Sequence, residues 1–140
     1  MKNLGISKEN KGRGVGVILR DKKILLMHRI KDGEEYFTFP GGGIENIETP
    51  EETAKREVEE EFSLKVIKCK FLFDIFNRTG KEYYFLIEDF NGEPQIGGPE
   101  RQRMSENNFY EAKWFNLEEG LNLKNLFPEE ARNKLKELIL

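Results

Sequence analysis

Gly42 to Leu64 reads GGIENIETPEETAKREVEEEFSL, which joins a glycine turn, a proline-started helix and a cluster of glutamates. Thr49 is placed to cap a helix, Pro50 suits its first position, and Glu52 completes a capping box with Thr49. Glu51 and Glu52 sit well against the positive end of the helix dipole. The spacing predicts a helix from Pro50 to about Phe62. On a wheel of about 100° per residue, Glu60 and Glu61 fall within about 60° of Glu57, so three carboxylates share one face. Ala54, Val58 and Phe62 form an apolar stripe beside that face, while Glu52, Lys55 and Glu59 fall on a third, solvent-facing side. The acidic face therefore borders the buried stripe, where its carboxylates can be held partly packed.

Like charges at such spacings destabilise a helix by roughly 0.2–0.5 kcal/mol per pair. A hard divalent cation removes that repulsion, and oxygen-only ligands suit Mg²⁺ or Mn²⁺ over zinc. Mg²⁺ takes few protein carboxylates and shares its remaining positions with water and substrate phosphate. Arg56, next to Glu57, can pair with a carboxylate and fix its rotamer. Glutamate-rich helix faces are more often simply solvated. The glycine turn, the capped start and Arg56 weigh against that plainer reading here.

Outward from this segment the chain alternates apolar runs with turns. Gly14 to Arg20 and Lys23 to Arg29 flank the short break Asp21-Lys22, as in a hairpin. Lys31 to Glu35 is a charged loop, and Tyr36 to Phe39 a short aromatic strand stopped by Pro40 and the run Gly41-Gly42-Gly43. After the helix, Leu64 to Phe76 and Glu82 to Phe90 are strand regions around a turn from Asn77 to Lys81. Asn91 to Asn108 is polar, has no helical or strand period and is long for a connection, and long loops are often functional. Phe109 to Phe115 is a further strand, and a final helix from near Pro128 is expected to bury Ala131, Leu135, Leu138 and Ile139. Strands with one internal and one terminal helix give a mixed α/β domain.

The length fits one domain over residues 1–140, with a core over about 13–138 and a polar lead over 1–12. With 23 basic against 26 acidic side chains, the net charge of −3 gives no reason to expect nucleic-acid or anionic-membrane binding. No apolar run approaches the roughly 20 residues of a membrane span. The first residues, MKNLGISKENKGRG, lack the apolar core of a signal peptide. Cys69 is the only cysteine, so no internal disulfide forms, and a cytoplasmic location is the simplest expectation.

The spacing in the glutamate stretch resembles the Nudix box, G-x5-E-x7-R-E-U-x-E-E-x-G-U, the signature of the Nudix hydrolase family. Gly42 is followed after five residues by Glu48; seven residues later come Arg56 and Glu57, then Val58, Glu60, Glu61 and Leu64. Ser63 stands in place of the box glycine, where glycine relieves a left-handed backbone after the helix. Ile47 stands where many relatives have glycine. The resemblance covers roughly Arg13 to Leu138. It implies an α/β/α sandwich around a mixed sheet and hydrolysis of a nucleoside diphosphate linked to another group, with Mg²⁺ or Mn²⁺ as cofactor. It implies Glu57, Glu60 and Glu61 as metal ligands, with the Gly41 carbonyl as an extra one. Glu48 then supports the site, Arg56 orients Glu57, and the general base is Glu57 or a glutamate of the long loop, Glu100 ahead of Glu106. A small one-domain chain suits nucleoside triphosphates, oxidised ones included, with nucleotide sugars and dinucleoside polyphosphates as alternatives. Homodimers are common in the family. A non-catalytic nucleotide-sensing Nudix domain is the reading from another class, although such domains often lose box carboxylates and this chain keeps them. A plain acidic interaction module would require the match to be accidental.

Four residues outside the box are candidates for substrate binding. Arg29 ends the second strand and can reach a phosphate, with a surface ion pair as the equal alternative. Phe37 and Phe39 alternate along one strand, where core packing outweighs base stacking. Asn108 can hydrogen-bond a base, and a simple turn competes with that role for it and for Asn107. His28 inside an apolar strand is a packed or edge residue, Trp114 a core residue and Cys69 a buried small residue.

Overall fold

Two tight turns build the centre of the sheet. Strands β1 (Arg13–Arg20) and β2 (Lys23–Lys31) form the expected hairpin. Their link, Asp21-Lys22, has both residues at positive φ (53° and 64°), as a type I′ turn requires. Asp32 and Gly33, at φ 50° and 85°, make the same kind of link to β3 (Glu34–Thr38). The charged loop expected from Lys31 to Glu35 therefore shrinks to two residues, because Asp-Gly favours this turn. The longer strands set Arg29 opposite Tyr36. The computed structural model of the protein describes residues 11–78 and 80–140, so most of the polar lead expected over residues 1–12 lies outside the described residues.

The glycine run is itself a strand, β4 (Gly41–Gly43), and is followed by the capped helix α1 (Pro50–Phe62). Strands β5 (Lys65–Asn77) and β6 (Gly80–Asn91) form a long hairpin. The segment expected to be an irregular loop contains a short helix, α2 (Gly98–Arg103). Then come β7 (Asn108–Asn116), α3 (Leu117–Leu121), β8 (Leu126–Phe127) and α4 (Glu129–Ile139). The strands lie in the order β5-β6-β1-β2-β3-β8, with β4 also paired to β1 and β7 to β2. The β1/β6 and β3/β8 pairs are parallel and the others antiparallel, which makes the sheet mixed.

Pairing between β1 and β2 is brief, running only from Ile18–Leu25 to Arg20–Lys23. Beyond it, β1 takes β4 as its neighbour and β2 takes β3. The two strands part, and a cleft opens between them. Apolar residues alternate across the sheet and bury on both faces. Ile18, Leu25, Val58, Phe62 and Ile87 pack under α1, while Val17, Ile24, Leu26, Ala131 and Leu135 pack under α4. This is the α/β/α sandwich the resemblance implies.

Two expectations about the core change. Leu138 is 58% exposed rather than buried. The stripe of α4 that meets the sheet is Ala131, Leu135 and Ile139, and Leu138 lies about 100° round the helix from the last of these. Cys69 is only partly buried, because β5 is an edge strand, and burial pushes its thiol up to about 11. Among the described residues, no helix is long and apolar enough to cross a membrane.

Glycines on β1 let α1 approach closely. A Cβ added to Gly14 would lie 2.5 Å from the Pro50 carbonyl oxygen and 2.8 Å from Ala54 N. These are backbone atoms at the start of α1, which cannot rotate away. Gly14→Ala should therefore destabilise the fold by about 1–3 kcal/mol, read as a lower midpoint in urea denaturation. An unchanged midpoint would refute the close packing.

Candidate active site

Arg56 joins most of the acidic groups named by the sequence. Its Nε and Nη2 donate to the two oxygens of Glu48, at 2.6 and 3.0 Å, a bidentate pair. Nη1 donates to Glu57 at 2.9 Å and to Glu60 at 3.3 Å, and Nη2 to the Gly43 carbonyl at 3.1 Å. Glu48 also accepts from Thr53 Oγ1 and Glu45 N. Its carboxyl is lowered to about 2, first by the Arg56 hydrogen bond. The local fold accounts for the placement: both halves of the capping box form, with Thr49 accepting from Glu52 N and Glu52 accepting from Thr49 N. This fixes where α1 begins and so which residues face the cleft. At the other end Ser63 takes the left-handed conformation, φ 59° and ψ 34°, and its N–H caps the Glu59 carbonyl. The serine keeps the backbone a glycine would favour, at a cost of about 1–2 kcal/mol. Ile47 points into solvent.

Glu61 is the buried member of the acidic face, 8% exposed, and accepts from Gly41 N at 3.1 Å. Burial holds its carboxyl well above the usual glutamate range, and a hydrogen bond with Glu57 and the charges of Glu57 and Glu100 add to the effect. Glu57 and Glu61 open into a cavity of about 300 Å³ that also takes in Gly41, Glu100 and Arg29. Gly42 stands behind Glu57, where any Cβ would strike the carboxylate. Glu60 is placed differently from its two neighbours. Its side chain is 50% exposed, paired with Arg56, and it does not line the cavity.

The long connection reaches the site because it caps α1. Gln95 N donates to the Phe62 carbonyl and Gly97 N to that of Glu61, both at 2.9 Å. A Cβ on Gly97 would collide with the Glu60 carbonyl, so the approach requires glycine. Helix α2 then sets Glu100 over the cavity, with Arg103 3.8 Å from its carboxylate. Its Oε1 is buried without a hydrogen-bond partner among the described residues. Glu106 is exposed and away from the cavity, which separates the two loop glutamates.

Arg29 crosses the cavity wall over the Tyr110 ring, 4.0 Å from its centroid, with Tyr36 beyond at 5.7 Å. Its Nη2 donates to Asn108 Oδ1 at 2.7 Å, while its buried Nε has no hydrogen-bond partner among the described residues. Asn108 in turn donates to the Arg103 carbonyl, so its amide is spent on holding Arg29 and the end of α2. Phe37 takes the packing role that outweighed base stacking for it: it lies in the core under α4, stacks on His28 and does not line the cavity. Phe39 is buried but borders the cavity. His28 is packed as expected, with Glu35 at 2.6 Å and Glu111 at 2.9 Å. Trp114 is only partly buried, and Arg20 lies over its ring. Tyr36, Tyr110 and Arg103 also wall the cavity and were not evident from the sequence. The signal for Tyr36 was the Asp32-Gly33 turn, which fixes it opposite Arg29.

The donor chemistry suits a hard cation. Among the described residues, no three acidic, His or Cys side chains stand in a ready-formed metal cluster, and Arg56 draws Glu57 and Glu60 to its own N–H groups. The acidic side chains that line the cavity, Glu57, Glu61 and Glu100, are nevertheless oxygen donors, and Glu100 Oε1 is buried with no partner among the described residues. The empty space at Gly42 leaves the Glu57 carboxylate room in the cavity floor. Such a set fits Mg²⁺ or Mn²⁺.

The chain is similar to known proteins in sequence and in fold. An 8-oxo-dGTP diphosphatase of Haemophilus influenzae is 31% identical over 78 residues, covering 51% of this chain and 57% of that protein. An 8-oxo-dGTP diphosphatase of Buchnera aphidicola is 32% identical over 82 residues, covering 56% and 63%. The chain thus spans less than two thirds of the length of these curated relatives. A MutT structure from work on Aliivibrio salmonicida and Vibrio cholerae superposes with a TM-score of 0.72 at 22% identity, over 91% of this chain and 95% of that one. MutT of Burkholderia pseudomallei gives 0.68 at 23%, over 90% and 95%. These structures share the fold. The NUDIX domain model matches residues 10–138, nearly the whole of the described chain and all of the site, and the chain therefore belongs to the Nudix hydrolase family.

Proposed function

We propose that the protein is a divalent-cation-dependent pyrophosphohydrolase of nucleoside triphosphates, including oxidised ones. The observation that carries this reading is the convergence of Glu57, Glu61, Glu100 and Arg29 on one cavity. The relatives named 8-oxo-dGTP diphosphatase support the substrate class. Water attacks one phosphorus, a phosphoanhydride P–O bond breaks, and a nucleoside monophosphate and pyrophosphate leave.

In this reading Glu57 and Glu61 would hold Mg²⁺, or Mn²⁺ in its place, with Glu60 and the Gly41 carbonyl as further ligands. A bound cation neutralises phosphate charge and helps ionise the attacking water. Glu100, which lines the cavity with Glu57 and Glu61, takes the proton of that water. Arg29 meets phosphate with its guanidinium, which Tyr110 and Asn108 hold in place. Arg56 and Glu48 are positioning residues: the bidentate pair locks the guanidinium that fixes Glu57. A cytoplasmic location fits a chain acting on free nucleotides.

The first test is pyrophosphate release from a panel of nucleoside triphosphates with and without Mg²⁺. Turnover should vanish on chelation and return with Mg²⁺ or Mn²⁺. Arg56→Gln should cost about 10–100-fold in Mg²⁺ affinity or turnover. Glu100→Gln should lower kcat by about 100–10,000-fold with little change in Mg²⁺ affinity, whereas Glu57→Gln should weaken both. No turnover on the panel, or a Glu57→Gln protein equal to the parent, would sink the reading.

A second test uses acid. Glu48 is lowered from 4.5 to about 2 in the folded protein, so it binds its proton more readily when unfolded. The stability it gives is fully present above pH 4.5 and is lost as pH falls toward 2. Glu48→Gln should be less stable than the parent by roughly 1–3 kcal/mol at neutral pH. That gap should close between pH 4.5 and 2 in denaturant titrations. A gap that stays constant across this range would remove the charged pair as its source.

A further inference from the structure

A second cavity, of about 210 Å³, adjoins the first and shares Arg13, Thr38 and Phe39 with it as a common wall. Together they reach the roughly 300–1,000 Å³ range of small-molecule sites. The second cavity is mostly apolar, walled by Val15, Phe39, Tyr84 and Phe127, and Phe127 stands 48% exposed at its mouth. Two charged groups, Arg13 and Glu82, break this wall. Glu82, on β6, is 7% exposed.

A carboxylate so placed is costly unless its oxygens are bonded. Tyr84 Oη donates to Glu82 Oε1 at 2.9 Å, and Arg13 Nε lies 3.3 Å from Oε2. Burial, with Glu82 beside it, pushes the Tyr84 phenol far up, so it remains a donor. Parallel pairing sets Arg13 directly beside Glu82 in the sheet, so backbone register holds the pair together. Each carboxylate oxygen keeps capacity for a second donor. The wall thus presents guanidinium N–H groups next to two acceptors.

We propose that Glu82, with Arg13, is a specificity-determining residue that selects a guanine-type base. The inference rests on the nucleotide reading of the adjoining cavity. Guanine alone among the ordinary bases carries a carbonyl, a ring N–H and an amino group in a row. The carbonyl faces Arg13, and the two N–H donors face Glu82. Adenine and cytosine put a bare ring nitrogen against the carboxylate, and thymine offers it a single N–H flanked by carbonyls. Phe127 and Phe39 supply apolar surface for the ring faces.

The test compares guanine with hypoxanthine, which lacks only the 2-amino group. The parent protein should turn over dGTP about tenfold or more better than dITP in kcat/KM, mainly through KM. Glu82→Gln should bring that ratio close to one. In parallel, calorimetry on the parent should show GMP binding more tightly than IMP, a comparison that needs no turnover and no variant, so a poorly folding Glu82→Gln leaves it intact. Preference for GMP without hydrolysis of any nucleotide would support the base site and overturn the proposed reaction. Hydrolysis with equal use of dGTP and dITP would overturn the role of Glu82 and leave the reaction standing.

Discussion

Strands β1 and β2 share only a short stretch of backbone pairing, and the cleft exists because that pairing stops. A strand has two edges, and each edge serves one neighbour at a time. Where β1 leaves β2 it bonds to β4, and where β2 leaves β1 it bonds to β3. The backbone polar groups along the split are thereby paired, which a buried gap requires. Gly16 N bridges to the Pro40 carbonyl at 2.9 Å and ties the glycine run to β1 just where the strands diverge. Helix α1 then lies over β1 at glycine distance and delivers Glu57 and Glu61 to the gap. Without the split, these two carboxylates would meet a closed sheet.

Crowding carboxylates at the mouth of such a gap is unfavourable, and the structure offsets it in two ways. Arg56 gives every guanidinium nitrogen to an acceptor, and its bidentate pairing with Glu48 leaves Nη1 aimed at Glu57 and Glu60. Glu61, too deep for Arg56, is held well above the usual carboxylate range by burial and by its acidic neighbours. A buried carboxyl that favours its proton relieves the repulsion when no cation is present. The same crowding favours a hard cation, which removes the penalty more fully than a proton can. Stability and chemistry are linked at one point here. Arg56 holds the segment Gly43 to Glu48 against α1 and also sets the rotamer of Glu57.

What the sequence disclosed was local. The capping box of Thr49 and Glu52 fixed the phase of α1, and the wheel then placed Ala54, Val58 and Phe62 in the core with no error. Glu48 and Arg56 were legible because their spacing is set by one turn and one helix. Relations that depend on packing were not. Helix α2 is six residues with no buried side chain, so it carries no periodicity; its place comes from Gly97 docking on the carbonyls that end α1. Glu100 could be ranked over Glu106 only weakly until that docking was known. Glu60 shares a helical face with Glu57 but turns to Arg56, a contact no wheel registers. Phe37 and Phe39 do share one face, and pairing within the sheet still separates them: Phe37 stacks on His28, whereas Phe39 stands at the split. The Asp32-Gly33 turn was legible in principle, since this dipeptide is a strong hairpin signal. Reading it would have set Tyr36 beside Arg29.

The two adjoining cavities differ in polarity, and that difference divides the ligand between them on the proposed reading. The larger one sets Glu57, Glu61 and Glu100 among Arg13, Arg29 and Arg103, so carboxylates that suit a cation stand beside guanidiniums that suit phosphate. The smaller one holds its single carboxylate already paired with Arg13 and bonded by Tyr84, and is otherwise apolar. On the proposed reading a base settles there on its own hydrogen bonds, while the phosphates meet the mixed charges of the larger cavity. Arg13 stands on the wall between the two, 41% exposed at its side chain, with one nitrogen against Glu82. On the proposed reading Arg13 thus stands where base and phosphates meet, on β1, the strand whose parting from β2 opened the cleft.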